Sequence, residues 1–228
     1  MKTTIIIPNY NGLSFMEPCF EALEKQTTKD FKILVVDNGS MDGSVEWLQE
    51  REIPSIFLPE NTGFSGAVNV GIRAADTPYG ILLNNDTKVA PHYVEALERA
   101  MDRSEKIFSV SSKMIQMYHP ELIDSAGDLY TLMGWGVCRG TGRPVTNYKE
   151  PDEIFTACAG AACALKDRMG EEGLAGTIRV YGCPAEEIVI GKIRKQQEGI
   201  FDGLSAAVTW HPFYRNRVRY DIREARGI

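Results

Sequence analysis

Short apolar runs alternate with helical patterns along the first 117 residues, and this alternation limits the possible folds more than any other feature of the chain. The runs are rich in β-branched residues, which favours strands. Between them apolar residues recur at helical spacing, as Met16, Cys19 and Leu23 do, which predicts helices with one buried face. Strands interleaved with helices predict an α/β, Rossmann-like fold with a mostly parallel sheet and helices on both faces. The predicted strands are Thr3–Ile7, Phe31–Val36, Ser55–Leu58, Gly80–Leu83 and Ile107–Met117.

Polar turns follow three of these strands, at Pro8–Gly12, Asp37–Ser40 and Asn84–Thr87. Because parallel strands run the same way, the three turns are expected at one edge of the sheet, where ligands bind in open α/β folds. The Asp37 carboxylate can accept hydrogen bonds from a nucleoside. Asp86, a single carboxylate beside two amides, suits a hard divalent cation that also binds phosphate oxygens and water. Each carboxylate alone is better explained as a turn residue or a cap, and their convergence at one edge favours a binding site.

A fourth polar segment, Asn61–Gly66, opens a predicted helix. Free backbone N–H groups and the helix dipole at such an end favour phosphate. The segment is not the Gly-x-Gly-x-x-Gly fingerprint and is weak evidence for a dinucleotide. Asn69, one turn further on, faces either the same ligand or solvent.

Charge and composition exclude several classes of protein. The 228 residues carry 25 Lys and Arg against 31 Asp and Glu, a net charge of −6, which argues against a nucleic-acid binder that relies on phosphate contacts. No apolar run approaches the length of a membrane span. The five cysteines are odd in number and form no Cys-x-x-Cys, which predicts reduced thiols in a cytoplasmic protein.

The four polar segments, in this order, resemble the family 2 glycosyltransferases, which have the GT-A fold. The resemblance covers roughly the first 115 residues. It implies transfer of a sugar from a nucleotide-diphosphate sugar to an acceptor hydroxyl, with inversion at the anomeric carbon. The matching sequences are Ile-Ile-Ile-Pro-Asn-Tyr-Asn-Gly (5–12), Val-Val-Asp-Asn-Gly-Ser-Met-Asp-Gly-Ser (35–44), Asn-Thr-Gly-Phe-Ser-Gly-Ala-Val-Asn-Val-Gly (61–71) and Leu-Leu-Asn-Asn-Asp-Thr (82–87).

The same resemblance implies roles for individual residues. Asn84, Asn85 and Asp86 stand where the family has its Asp-x-Asp metal motif, and Asp86 is the carboxylate that remains to bind Mg²⁺ or Mn²⁺. The amide at the first position of this motif resembles the variant found in the rhamnosyltransferase-like branch of the family, and it implies weaker metal binding. The donor-binding residues implied by position are Pro8 and Tyr10 at the nucleotide pocket, Asp37 at the base, and Asn61, Gly63 and Asn69 along the donor.

The second half of the chain carries the implied acceptor side. Residues Phe155–Ala162 resemble the segment whose small side chains admit an acceptor, and a tightly packed strand is the alternative. Glu186 and Glu187 occupy the place of the family's acidic pair, with Glu187 as the implied general base; a solvated helix start is the alternative. His211 is the implied metal or diphosphate contact.

A second family resembles part of this half. Residues 176–212 are similar to metal-dependent amidohydrolases of the aminoacylase and aminobenzoyl-glutamate hydrolase type. That resemblance makes Glu186 the base and Glu187 and His211 zinc ligands. Its upstream ligand segments are missing from this chain, and two or three ligands cannot build a two-metal site. The alternatives to a glycosyltransferase are therefore an amidohydrolase-like fragment and a non-catalytic, nucleotide-binding hybrid.

These observations predict one domain with two halves: residues 1–117 bind the nucleotide sugar and residues 118–228 form the acceptor side, with a hybrid origin after about 165 as an open alternative. The segment from Asp124 to Gly142 is expected to be an active-site flap or a surface loop. The implied partners are a nucleotide-diphosphate sugar and a glycan or lipid-linked acceptor. The expected location is the cytoplasm, with peripheral association at the inner membrane face as a further expectation.

Overall fold

The predicted alternation of strands and helices is present in the computed structural model, which describes residues 1–105, 107–130, 135–154, 157–158, 160–165, 180–182 and 190–192. The helices are α1 (Leu13–Glu24), α2 (Ser44–Glu50), α3 (Gly63–Ala74) and α4 (Tyr93–Met101), with a 3₁₀ turn at Val145–Asn147. The strands are β1 (Thr3–Asn9), β2 (Phe31–Asp37), β3 (Ser55–Phe57), β4 (Tyr79–Leu83), β5 (Thr87–Val89), β6 (Ser109–Ser111), β7 (Met114–Gln116), β8 (Ile123–Ser125), β9 (Asp128–Tyr130), β10 (Gly136–Cys138), β11 (Glu153–Ile154), β12 (Ala161–Leu165), β13 (Val180–Gly182) and β14 (Ile190–Lys192).

Eight strands form the main sheet, in the order β11-β13-β6-β12-β4-β1-β2-β3. The neighbours β4, β1, β2 and β3 are mutually parallel, while β12 is antiparallel to both β4 and β6. Two smaller sheets have the orders β5-β14-β7-β8 and β10-β9. The predicted α/β fold with a mostly parallel sheet and helices is confirmed, and the strands that carry the polar turns lie in its parallel part.

Both faces of β1 are buried, because side chains alternate between the faces of a strand. Ile5 and Ile7 belong to the hydrophobic core that includes residues of α1 and α4. Ile6 belongs to a second core together with Val68 and Ile72 of α3. Gly71 lets α3 approach closely, since a Cβ at this position would lie 2.4 Å from Cγ2 of Ile6. A strand covered on both sides reads as a continuous apolar run, which is why Ile5–Ile7 shows no alternation.

The structure corrects the prediction of one strand over Ile107–Met117. Two strands occupy this segment: β6 lies in the main sheet and β7 in the four-stranded sheet. The break falls at Ser112 and Lys113, whose backbone follows the edge of β12: the N–H of Ser112 donates to the carbonyl of Ala161. The segment from Asp124 to Gly142 is also more regular than a loop, because β9 and β10 pair antiparallel within it.

Apart from β9 and β10, which pair with each other, the described strands of the second half join sheets that contain strands of the first. β12 begins at Ala161, directly after Gly160, and pairs with β4. Within the part of the chain that the structure describes, no helix is long and apolar enough to cross a membrane. The described cysteines, Cys19, Cys138, Cys158 and Cys163, form no disulfide with one another.

Candidate functional site

The three polar turns meet at the carboxyl edge of the parallel strands. Asn9, from the first of them, lies between the Asp37 turn and the Asn84 turn. Asn9 is the last residue of β1, the strand that lies between β4 and β2, and only 1% of its surface is exposed. Its Nδ2 donates to Oδ2 of Asp37 at 2.7 Å and to Oγ of Ser40 at 3.2 Å. Its Oδ1 accepts a hydrogen bond from Nδ2 of Asn85 at 2.7 Å. One buried amide therefore contacts both flanking turns.

Asp37 is buried at the end of β2, with 1% of its surface exposed. Besides the contact with Asn9, its Oδ1 accepts a hydrogen bond from the backbone N–H of Ser40 at 2.9 Å, as expected of a residue that caps its own turn. Each carboxylate oxygen can accept a second hydrogen bond. The cap and a contact with a nucleoside are therefore compatible.

Asn38 fixes the start of α3 relative to the Asp37 turn. Its Nδ2 donates to Oδ1 of Asn61 at 2.8 Å and to the carbonyl of Gly63 at 3.2 Å. Its Oδ1 accepts hydrogen bonds from the backbone N–H and the hydroxyl of Thr62. Thr62 stands at the N-cap position of α3 but makes no cap hydrogen bond with its side chain. An aspartate at position 38 could not supply the two donors, so this turn requires an amide.

The Asn84–Thr87 turn lies beside Gly160. The backbone N–H of Asn84 donates to the carbonyl of Gly160 at 2.9 Å, and the Thr87 hydroxyl donates to the carbonyl of Asn84 at 2.7 Å. Oδ1 of Asn84 is buried and accepts no hydrogen bond from the described residues. A Cβ added to Gly160 would lie 3.5 Å from Nδ2 of Asn84, an ordinary van der Waals contact, so this glycine lies directly against the turn.

Asp86 is half-buried in the same turn, and its carboxylate lies close enough to α1 to affect the pKa of Cys19. Burial, together with the nearby Asp86 carboxylate, raises the pKa of the Cys19 thiol to about 12. A thiol with this pKa stays protonated at neutral pH and is no nucleophile. Cys19 is therefore a buried core residue of α1 and is not a candidate for the chemistry of the site.

The remaining predicted donor residues lie at the solvent-accessible rim of this edge. Pro8 is half-buried, and Tyr10 is 48% exposed. Asn61, Gly63 and Asn69 are exposed along the beginning of α3. The structure thus brings the predicted residues of the first half to one edge, while their roles toward a ligand stay predictions.

The predicted residues of the second half are not tested by this geometry. Glu186, Glu187 and His211 lie outside the described residues, as do Phe155, Thr156 and Ala159 of the acceptor-side segment.

Sequence reasoning assigned no role to Asn9 or Asn38, which make the most contacts in the site. No signal in the sequence singles out Asn9, because its alignment depends on the register of β1, which pairs with β2 at an offset of 28 residues and with β4 at an offset of 76.

Comparisons with known proteins show which family this chain belongs to. Residues 4–160, more than half of the chain, match the model of the family described as glycosyl transferase family 2. A teichoic acid poly(glycerol phosphate) polymerase from Staphylococcus epidermidis is 32% identical over 99 residues, which are 41% of this chain and 14% of that protein. A crystal structure of GalNAc-T7 with UDP, GalNAc and Mn²⁺ superposes with a TM-score of 0.68 at 14% identity, covering 86% of this chain and 44% of that one. At this identity the likeness shows the fold alone.

A relative of a different kind is one of the subunits of the p-aminobenzoyl-glutamate hydrolase of Escherichia coli. It is 49% identical over 59 residues, which are 26% of this chain and 12% of that protein. It belongs to the type of hydrolase that residues 176–212 resemble. The chain spans less than a fifth of the length of either of these two relatives. The family match covers the three polar turns and the segment that opens α3. By that match the chain belongs to glycosyl transferase family 2, with the GT-A fold.

Proposed function

We propose that this chain transfers a glycosyl group from a nucleotide-diphosphate sugar to an acceptor hydroxyl. The observation that carries the proposal is the meeting of a buried carboxylate, Asp37, and the Asn84–Asp86 turn at one edge of a parallel sheet, within the segment that matches the family. Ligands bind beyond this edge in open α/β sheets. The GalNAc-T7 structure, which has the same fold, contains UDP, GalNAc and Mn²⁺.

The donor would lie across the three turns. Its nucleoside would contact Asp37 and the exposed ring of Tyr10, since a buried acceptor beside an exposed aromatic ring suits a heterocycle with N–H groups. Gly63, at the start of α3, would border the donor, where backbone N–H groups favour negative charge. Asn61 and Asn69 would border the sugar.

The oxygen donors of the Asn84–Thr87 turn fit a divalent cation. A carboxylate at Asp86 and the buried Oδ1 of Asn84, which accepts no hydrogen bond from the described residues, are hard ligands of the kind that Mg²⁺ and Mn²⁺ take. Two protein oxygens are too few for a dedicated cage, so the diphosphate would complete the coordination. When bound, the cation would supply charge neutralisation for the leaving diphosphate. His211 is the proposed further contact.

The acceptor would enter beside Gly160, which lies directly against the Asn84–Thr87 turn and carries no side chain to obstruct it. Glu187 is the proposed general base that removes the acceptor proton, and direct displacement would invert the anomeric carbon. Glu186 is its proposed neighbour in the acidic pair. A glycan or a lipid-linked glycan is the proposed acceptor class, since one relative is a teichoic acid polymerase. We place the reaction in the cytoplasm or at the inner membrane face.

A second candidate function rests on the 49% identity with the hydrolase of Escherichia coli. In that case Glu186, Glu187 and His211 would bind zinc without a nucleotide. Among the described residues, no three His, Cys, Asp or Glu side chains are grouped to hold a metal ion. A Zn²⁺ titration of the whole chain without nucleotide separates this candidate from the glycosyltransferase.

The proposed function is tested by thermal unfolding with UDP, GDP, ADP, CDP and dTDP, each with and without Mn²⁺. A diphosphate at 100 times its Kd adds about 2.7 kcal/mol, which raises the Tm of a domain of this size by about 5–10 °C. Asp86→Ala should remove the Mn²⁺-dependent part of the shift. Asp30→Ala is the matched control, because Asp30 precedes β2 at the opposite end of the sheet and is exposed. If no diphosphate shifts the Tm, or if the Asp86 variant keeps the full Mn²⁺ dependence, the proposal is wrong.

A further inference from the structure

Asn9 occupies a position that the donor site as proposed does not yet use. It lies at the end of the middle strand, and its two flanking strands carry the two halves of the site: Asp37 is the last residue of β2, and Asn85 lies just after β4. Because β2 and β4 lie on opposite sides of β1, any side chain that joins their turns must come from β1 or cross it.

The chemistry of the neighbours fixes which way the Asn9 amide points. The Asp37 carboxylate can only accept hydrogen bonds, so the NH₂ group of Asn9 must face it, at 2.7 Å. The Asn9 carbonyl oxygen then faces Asn85, whose NH₂ group donates to it at 2.7 Å. The amide therefore transmits a directed chain of hydrogen bonds from Asn85 to Asp37.

Gly12 provides the space for this chain. A Cβ at position 12 would lie 2.1 Å from Nδ2 of Asn85 and 2.6 Å from Oδ1 of Asn9. The φ angle of Gly12 is −111°, which any residue adopts, so the glycine is required for space and not for backbone conformation. The packing of the site thus admits the Asn85–Asn9 contact only without a side chain at position 12.

We propose that Asn9 is a positioning residue that couples the nucleoside end of the donor site, at Asp37, to the diphosphate end, at Asn85 and Asp86. This inference rests on the proposed function. Without the amide, Asp37 would keep its Ser40 contact but lose its link to the turn that holds the diphosphate. Both ends of one donor would then no longer be held at a fixed separation, and the preorganisation that favours binding would be lost.

The first test uses the binding of UDP with Mn²⁺, measured by calorimetry from pH 5.5 to 8.5 and expressed relative to the natural chain at each pH. Asn9→Ala should weaken binding by about tenfold at every pH, the effect of one well-placed hydrogen bond. Asn9→Asp places a second carboxylate against Asp37, so the pair should share a proton at low pH and repel at high pH. Its binding should lie within about threefold of the natural chain at pH 5.5 and be weakened by more than about tenfold at pH 8.5.

A merely structural role of Asn9 would not produce that pH dependence. If Asn9 had only a structural role, both variants would be less stable, but their nucleotide affinity would not depend on a proton shared by the side chains at positions 9 and 37.

Gly12→Ala supplies a second route, in which neither Asn9 nor Asp37 is replaced. Because the atoms that the new Cβ would meet, Nδ2 of Asn85 and Oδ1 of Asn9, are ends of side chains, the variant should fold with the contact between Asn85 and Asn9 broken. It should weaken UDP by several-fold and leave uridine, which has no diphosphate, unchanged.

The outcomes separate the two levels of the proposal. If the natural chain binds UDP but Asn9→Ala binds it equally well, or if Asn9→Asp shows no pH dependence relative to the natural chain, the inference about Asn9 is overturned alone. The same holds if Gly12→Ala weakens uridine as much as UDP. If the natural chain binds none of the five diphosphates, the proposed function is overturned and the inference with it.

Discussion

Two glycines with nearly the same positive φ allow steric contact in the site to be separated from backbone strain. Gly39, in the Asp37 turn, has a φ of +79°, and Gly63, at the start of α3, has a φ of +78°. A Cβ at Gly39 would lie 2.9 Å from both the carbonyl carbon and the Cα of Glu60. A Cβ at Gly63 would meet nothing within 4 Å. Alanine at each position therefore differs in its surroundings and not in its φ.

The expected costs follow from these contacts. At Gly63, alanine should cost about 1–2 kcal/mol, the penalty of a left-handed conformation for a residue with a Cβ. At Gly39 the same cost applies, and about 1–3 kcal/mol of overpacking is added because the obstructing atoms are backbone and cannot rotate away. The gain from a less flexible unfolded chain is common to both variants and cancels. Gly39→Ala should thus be less stable than Gly63→Ala by about 1–3 kcal/mol.

Urea unfolding at 25 °C, followed by far-UV circular dichroism, measures the difference, and equal m-values show that the two unfolded states are alike. Asparagine tolerates positive φ, so Gly63→Asn should recover part of the stability lost in Gly63→Ala. Gly39→Asn should recover little, because its Cβ meets the same backbone. Equal destabilisation by the two alanine variants would show that the Asp37 turn does not pack against residues 60 and 61 as described.

Three further predictions concern single carboxylates. Burial raises the pKa of Asp128 from 3.8 to about 6, against a hydrogen bond with Cys138 that lowers it, so the folded chain favours the protonated acid. This stabilisation is complete below pH 3.8 and is lost as the pH rises through about 6. The free energy of unfolding of Asp128→Asn, relative to that of the natural chain, should therefore increase by about 3 kcal/mol between pH 3.5 and pH 8 in urea unfolding. A difference that does not change with pH would contradict this prediction. Asp37→Asn should weaken nucleoside binding without metal by about 1.5–3 kcal/mol, measured by calorimetry, and unchanged affinity would leave Asp37 as a cap only. Glu187→Gln should abolish sugar transfer in a product assay while donor affinity is retained, because a base acts on the acceptor in the transition state; continued transfer would end its assignment.

The order of the first strands and helices, and the edge of the sheet at which the polar turns lie, were readable from the sequence. Val35 and Val36 end at Asp37, and Leu82 and Leu83 end at Asn84, and such abrupt changes from apolar to polar mark where a buried strand leaves the sheet. The parallel direction followed from the intervening helices. These features are local, so a single sequence carries them.

Other features arose only from tertiary contacts. The break between β6 and β7 depends on the partners of each strand, since β6 pairs with β12 in one sheet and β7 with β8 in another. The antiparallel direction of β12 places Ala161 opposite Leu83 and brings Gly160 against Asn84, a contact between residues 76 positions apart in the chain. Apolar runs record burial and say nothing about which strand lies alongside.

The roles of the amides show the same limit. In the sequence Asn9 and Asn38 are ordinary turn residues, and their side-chain chemistry, one donor group and one acceptor, is the same wherever they stand. The strand register alone aligns Asn9 with Asp37 on one side and Asn85 on the other, and the path of the chain alone brings Asn61 and Gly63 to Asn38. The sequence determined which polar groups stand at the edge of the sheet. Only the folded structure decided which of them are buried and paired and which remain open to a ligand, because burial and hydrogen-bond partners depend on residues far apart in the chain.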